Sequence, residues 1–288
     1  MARILGIGNA TLDIINTVEC YPVEDDEVRA LSQRRCIGGN CANTLTVLQQ
    51  LGHDCVFAGT LATDTDGDEI ALGLQQQGIN IDYCHRVSGE SPTSYILLSH
   101  DTGTRTIVHY RDLPEFSLAD FEKIDLSTFD WIHAEGRNVI ETTSMLSFIH
   151  ERFPPLPYSV EIEKLRSGIE NLFKGAAVLF FSRHYVTHLG YSNAEGFLQQ
   201  LHPSLPNIEK ICPWGEEGAY GLDQKGKSHH VPAFSPLQVI DTLGAGDTFN
   251  AGFIHAHLHH YPFAKSLTFA CQLAGRKCGQ YGFEGLIS

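Results

Sequence analysis

The chain has 288 residues, of which 42% are hydrophobic and 19% charged, an ordinary composition with enough apolar side chains for a large core. Its 34 aspartates and glutamates outnumber its 20 lysines and arginines, for a formal net charge of −14. A surface this acidic repels nucleic-acid phosphates and anionic lipid. The longest apolar runs fall far short of the roughly 20 residues a membrane-spanning helix needs. The N-terminal residues hold no secretory signal of the required length, so the expected location is the cytoplasm. Eight cysteines are scattered without a C-x-x-C pair, which suits free thiols better than disulfides or zinc.

In chain order, residues 3–8 read as a buried strand rich in Ile and Leu. Residues 41–51 read as a helix stopped by Gly52, 56–58 open the next strand, and 68–77 form a helix stopped by Gly78. Short apolar strands recur at 131–134, 159–162, 177–181 and 208–212, separated by helical segments. This β-α-β-α rhythm predicts an α/β fold with a mostly parallel sheet covered on both faces. With no internal repeat and no low-complexity linker, one domain over residues 1–288 is expected. Two regions break the rhythm, within 12–36 and 93–110, where strands follow one another without helices. Residues 94–98 and 105–109, joined through Asp101, Thr102 and Gly103, read as a hairpin. A small β-sheet projecting from the parallel core would serve as a lid that keeps water from the site.

The strongest chemical signal is the run Asp241, Thr242, Leu243, Gly244, Ala245, Gly246, Asp247. Val239 and Ile240 before it look strand-like, and a helix over about 247–259 follows, with Phe249, Phe253 and Ala256 on one face. Glycines at a helix start let backbone N–H groups approach an anion, and the helix dipole adds favourable potential. A carboxylate placed there can accept a proton from an attacking hydroxyl. On its own, Asp247 as a plain helix cap explains the pattern equally well.

A second cluster is Gly38, Gly39, Asn40 and Asn43. The glycines end a strand, and the two asparagines, three apart, share one helix face and offer amide donors and acceptors to hydroxyl groups. A plain glycine turn with an Asn cap is the simpler reading of this stretch alone. Asp13 follows the first strand, where open α/β sheets bind ligands. Gly6 and Gly8 begin a dinucleotide fingerprint, but Thr11 stands at its third glycine position, which argues against a dehydrogenase.

Together, Gly38-Gly39-Asn40 and the 241–247 run resemble the ribokinase-like (PfkB) carbohydrate kinase family, over nearly the whole chain. The stretches 105–108, 131–138, 160–164, 214–219 and 274–279 are most similar to the family's ketose-phosphorylating branch. The resemblance implies a ribokinase-like three-layer α/β/α sandwich and an ATP-dependent kinase acting on a sugar hydroxyl, most closely a ketohexose such as fructose. It implies Asp247 as the base, with the N–H groups of Gly244, Ala245 and Gly246 on the transferring phosphoryl group. Asp13, Gly39, Asn40 and Asn43 would hold the sugar. Arg105 on the lid would reach the nucleotide phosphates, and Gly215, Glu216, Glu217 and Gly218 would form a turn in the ATP site. Magnesium (Mg²⁺) would arrive with ATP. The Asn-x-x-Glu motif of many relatives is replaced by Ser182, Arg183, His184 and Tyr185. The metal's protein ligands therefore stay open, with Glu161 and Glu163 as candidates.

The exposed face of the lid would pair with a second copy in a homodimer. Other sugars, sugar acids and nucleosides are alternative acceptors, and a non-catalytic sugar or nucleotide sensor is the alternative outside the kinases. His255 and His259, four apart, lack the glutamate of the helical zinc-protease motif and read as a solvated helix end with His257 and His260. His229 and His230 read as a surface strand or turn. The acidic run 24–27 reads as an exposed loop, and Trp214 as a core residue. Cys271 and Cys278 read either as packed helix residues or, by resemblance, as lining the nucleotide pocket.

Overall fold

The computed structural model describes residues 1–287. The short apolar runs form strands and the amphipathic runs between them form helices. The first half comprises β1 (Arg3–Ile7), β2 (Thr11–Val18), β3 (Ser32–Gly38), α1 (Asn40–Gln50), β4 (Asp54–Ala58), β5 (Thr60–Ala62), α2 (Thr65–Gln76), β6 (His85–Val87), β7 (Glu90–Ser99) and β8 (Arg105–Asp112). Then follow α3 (Leu118–Phe121), β9 (Trp131–Glu135), α4 (Val139–Arg152), β10 (Tyr158–Ile162), β11 (Val178–Phe181), α5 (Arg183–His188) and α6 (Ala194–Leu201). The chain ends with β12 (Glu209–Pro213), β13 (Ala219–Leu222), β14 (Ser228–Val231), α7 (Ala245–Leu258) and α8 (Phe263–Cys278).

Eight strands form the main sheet in the order β14-β13-β12-β11-β10-β9-β1-β4. All neighbours from β4 to β12 are parallel, and β13 and β14 add an antiparallel edge. Successive side chains of a strand point to opposite faces, so the neighbours Ile4 and Leu5 enter different cores. Ile4 packs with Leu45, Ile70, Phe253 and Leu267 of α1, α2, α7 and α8. Leu5 packs with Met145, Tyr185 and Phe197 of α4, α5 and α6. The result is the three-layer sandwich that the alternation predicts. The chain builds outward from β1 to β4 on one side and to β9 on the other. Ligand crevices form at the carboxyl ends of strands where strand order reverses in this way.

The second sheet has the order β3-β2-β7-β8. Its hairpin pairs Ser94 with His109 and Leu98 with Arg105, the predicted strands in register. Ile15, Ile96 and Leu98 on its inner face pack against Leu243. The lid therefore rests on the glycine-rich turn before α7. Tyr95, Val108 and Tyr110 lie exposed on its outer face.

Three expectations change. Val239 and Ile240 form no strand; they are 60% and 37% exposed, and the Ile240 amide bonds to the Cys278 carbonyl at the end of α8. Asp13 does not simply follow the first strand but lies inside β2, on the lid. His255 does not belong to a solvated helix end. It is partly buried, its ring stacks on Phe269 at 5.3 Å, and it hydrogen-bonds to His53. A helical histidine whose partner comes from a distant loop cannot be told from a solvated one until that loop is placed.

His257, read with the same solvated end, is instead partly buried against Trp131, its Nδ1 3.1 Å from Glu209 Oε2. Residues 24–27 are exposed, His229 and His230 lie in β14, and Trp214 is buried, as read. All eight cysteines are free. No described helix is long and apolar enough to cross a membrane.

Candidate active site

Gly244 starts α7 in the left-handed conformation, with φ of 78°. A side chain there would also collide with the Phe283 ring. Only glycine meets both demands. Thr248 ties the turn down, its amide and hydroxyl both donating to the Gly244 carbonyl at 2.9 and 2.8 Å. The Ala245 amide donates within the turn to the Thr242 carbonyl at 3.3 Å. Asp247 sits in the first turn of α7, 7% exposed. Its carboxylate accepts a 2.7 Å hydrogen bond from Asn43 Nδ2. Burial pushes Asp247 up to about 8; the Asn43 bond opposes this, and the charges of Glu163, Glu135 and Asp13 reinforce it. A carboxylate poised near neutral pH is suited to take a proton from a hydroxyl.

Asn43 comes from α1, which Gly39 opens at φ of 103°. A side chain at Gly39 would strike the Asn9 carbonyl, so glycine brings α1 close to the end of β1. Glu135, at the carboxyl end of β9, accepts from the amides of Asn9 at 3.1 Å and Cys41 at 2.8 Å. It thereby fastens the chain after β1 to the start of α1. Asn40 hydrogen-bonds to Glu161 at the end of β10. Burial, then Asp247, Glu135 and Glu163, raise Glu161 well above the usual carboxylate range. Its Oε2 is buried without a hydrogen-bond partner. Glu161 and Glu163 line a small polar cavity with Asn40, Glu135 and Arg137.

Asp13 and Asn43 line a much larger cavity of about 730 Å³ between the lid, α1, α2 and the C-terminal segment. That volume admits a small sugar. Asp13 accepts from Thr11 Oγ1 at 2.8 Å. Burial raises it, and the hydroxyls of Thr11 and Ser94 hold it back. On the lid's edge, Arg105 Nη1 donates to Thr242 Oγ1 at 3.0 Å, which puts a cation beside the glycine turn.

Asp13 and Asn43 line the larger cavity, and Asn43 links it to Asp247. Arg105 borders the turn of Gly244, Ala245 and Gly246 that opens α7, while Gly39 and Asn40 open α1, with Asn40 on the smaller cavity. Residues Gly215–Glu217 form a single 3₁₀ turn at the end of β12, on the same carboxyl edge of the sheet. Gly218 has φ of 95° and closes the step into β13, its carbonyl accepting from the Trp214 amide at 2.7 Å. The contacts of this turn run to Arg183 and β14 rather than to Asp247. Cys271 is buried and Cys278 half-buried on α8.

Sequence reasoning gave no role to Glu135, Arg34, Asp241 or Lys277. Lys277 is fully buried; its Nζ lies 3.2 Å from Asp241 Oδ2 and 3.0 Å from the Asp241 carbonyl. Arg34 of the lid reaches the same carboxylate at 3.3 Å, and Asp241 Oδ1 accepts from the Leu243 amide at 2.9 Å. Nothing in the local pattern around Lys277, in the last turn of α8, signals its burial. Glu135, an acid at the carboxyl end of a buried parallel strand, did carry a legible signal.

The pfkB family carbohydrate kinase model matches residues 1–285. Mouse (Mus musculus) ketohexokinase is 42% identical over 99% of this chain and 99% of its own. Bacillus subtilis ribokinase is 25% identical over 99% of this chain and 96% of its own. Among solved structures, Arabidopsis thaliana ribokinase complexed with ribose and ATP superposes with a TM-score of 0.79 at 21% identity, covering 98% of this chain and 94% of that one. Giardia lamblia ribokinase superposes with a TM-score of 0.82 at 18% identity, covering 97% and 93%. With this fold, this glycine turn and these relatives, the chain belongs to the pfkB family of carbohydrate kinases, phosphotransferases with an alcohol group as acceptor.

Proposed function

We propose that this kinase transfers the γ-phosphoryl group of ATP to the primary hydroxyl of a ketohexose such as fructose, giving fructose 1-phosphate. The observation that carries the reading is Asp247. It is a buried carboxylate in the first turn of α7, bonded by Asn43, which shares a cavity with Asp13. The 42% identity to mouse ketohexokinase, over almost the full length of both chains, favours the ketose.

In this reading Asp13, Asn40 and Asn43 accept from and donate to the sugar hydroxyls, beside the close backbone of Gly39. The attack then becomes effectively intramolecular. Asp247 takes the hydroxyl proton as the oxygen bonds to the γ-phosphorus, and the bond to the β-phosphate oxygen breaks to release ADP. The amides of Gly244 and Gly246 donate to the transferring group, joined by Ala245 once its long contact to Thr242 yields. Arg105 pairs with the nucleotide phosphates, and residues 215–218 border the nucleotide. Glu161, with its unpartnered Oε2, and Glu163 supply hard oxygen donors that fit magnesium. Magnesium brought by ATP would neutralise phosphate charge.

Residues 1–288 act as one kinase domain in the cytoplasm, consistent with eight free thiols. The outer face of the lid, with Tyr95, Val108 and Tyr110 exposed on a sheet whose edge strand is β8, is where a second copy docks to form a homodimer.

The test is ADP release from ATP and magnesium with a panel of ketoses, aldoses, sugar acids and nucleosides, with Asp247→Ala alongside. Turnover favouring fructose and falling on the order of a hundredfold or more in the variant is the expected result. Preference for a nucleoside or sugar acid would discard the ketose. Binding of sugar or ATP without turnover would make the chain a sensor.

A further inference from the structure

Three imidazoles meet at the end of α7 remote from Asp247. His255 and His259 lie one turn apart at the C-terminal end of the helix, and His53 comes from the loop between α1 and β4. One ring nitrogen of each residue lies within 4.8 Å of the other two. His53 Nε2 and His255 Nδ1 face each other at 3.0 Å. None of these residues belongs to the kinase crevice, and the phosphoryl-transfer chemistry makes no use of them.

The surroundings fix the rings. His255 stacks on Phe269, and His53 is buried. His259 Nδ1 donates to the His255 carbonyl at 2.8 Å, so the lone pair of the neutral His259 ring lies on Nε2. A hydrogen bond of this kind, from the second ring nitrogen to a backbone carbonyl, is what orients histidine ligands at metal centres. Four-coordinate zinc, bonded at about 2.1 Å to each nitrogen, places neighbouring nitrogens roughly 3.4 Å apart. His53 and His255 are already closer than this, and the exposed His259 ring is the one that must swing inward.

We propose that His53, His255 and His259 bind one divalent transition-metal ion of the zinc class, with solvent at the position left open by the exposed His259. Three imidazoles select borderline ions such as Zn²⁺ and Co²⁺ over Mg²⁺ and Ca²⁺, which want oxygen donors. The ion replaces the hydrogen bond between His53 and His255. The His53 proton moves from Nε2 to Nδ1, displacing the 3.3 Å contact from the Ala2 amide, and no net proton is released from the neutral rings. A cation at this place also complements the C-terminal end of the α7 dipole. The ion would pin the last turn of α7 to the α1–β4 loop, a stabilising role separate from phosphoryl transfer.

The experiment is equilibrium dialysis of the full chain, free of any purification tag, against Zn²⁺, followed by metal analysis. It is paired with Co²⁺ titration monitored by visible absorption and with thermal melts in each ion. The expected result is one Zn²⁺ per chain, an intense four-coordinate Co²⁺ band, and a melting midpoint raised by Zn²⁺ but not by Mg²⁺. His259→Ala, an exposed position that leaves the core intact, should weaken binding at least tenfold and remove the band. His188→Ala, which breaks the separate surface pair His184 and His188 on α5, should bind as the parent does. A parent chain without stoichiometric Zn²⁺ at micromolar concentration would overturn the proposal. So would a His259→Ala chain that binds equally well, or loss of binding in His188→Ala.

Discussion

Asn43 Nδ2 lies 2.7 Å from Asp247 Oδ2, so an amide from the first turn of α1 steadies a carboxylate from the first turn of α7. The two residues are 204 positions apart in the chain. Each is placed by a helix that begins at a glycine with positive φ. The bond matters because it is the main influence that offsets burial at Asp247, which stands at about 8.

A pH profile tests that pairing. A base must be ionised to act, so kcat/KM for the sugar should fall as pH drops through the Asp247 pKa. The acidic limb is expected near neutral pH, several units above an ordinary aspartate. Asn43→Leu removes a donor that favours the charged form, which raises the pKa. Its limb should move to higher pH, with a lower plateau. A limb that stays in place or moves to lower pH would show that Asn43 does not set the ionisation of Asp247.

Arg105 gives a prediction that separates the two substrates. Its guanidinium lies on the lid, 3.0 Å from Thr242 and clear of the cavity that Asp13 and Asn43 line. Arg105→Ala should raise KM for ATP by about tenfold or more, the worth of a charged hydrogen bond. The KM for sugar should change far less. Arg105→Lys should recover part of the loss, because charge survives while the planar fork does not. Equal effects on both KM values would place Arg105 in lid closure instead.

Much of this architecture was legible in the sequence because its periodicities are local. Residues 94–98 and 105–109 are two short runs rich in β-branched, aromatic and aliphatic residues on either side of Asp101, Thr102 and Gly103, and they pair as a hairpin. The glycine run at 244–246 announces a helix start, and α7 begins there. What escaped were relationships between distant residues. Nothing near Lys277 says that its amine is buried beside Asp241, 36 positions earlier. Val239 and Ile240 have strand composition, but the Ile240 amide bonds to the end of α8, and no local pattern records that choice. His255 looked solvated because its partner, His53, comes from another part of the chain.

The Lys277–Asp241 contact bears on stability. Lys277 is 0% exposed, and removing one partner of a buried ion pair leaves the other charge uncompensated. Lys277→Met should lower unfolding free energy by about 3 kcal/mol, somewhat softened because Arg34 still reaches Asp241. Lys277→Met combined with Asp241→Asn should lose less than the sum of the two single changes. Denaturant titration of the four proteins measures the coupling. Strict additivity would mean the pair contributes nothing jointly.

Gly244 offers the sharpest separation of backbone from packing. Two obstacles face a side chain there, the φ of 78° and the Phe283 ring. Gly244→Ala should therefore cost stability through both, with the left-handed conformation alone worth about 1–2 kcal/mol. Turnover should drop with it, because the turn that aims the Gly244 and Gly246 amides would shift. Phe283→Ala in the same chain clears the collision but leaves the backbone strain untouched. The double variant should recover only part of the lost stability, and little of the lost kcat if amide placement governs the rate. Full recovery of both in the double variant would mean that the collision with Phe283, and not the left-handed backbone, is what demands glycine at the start of α7.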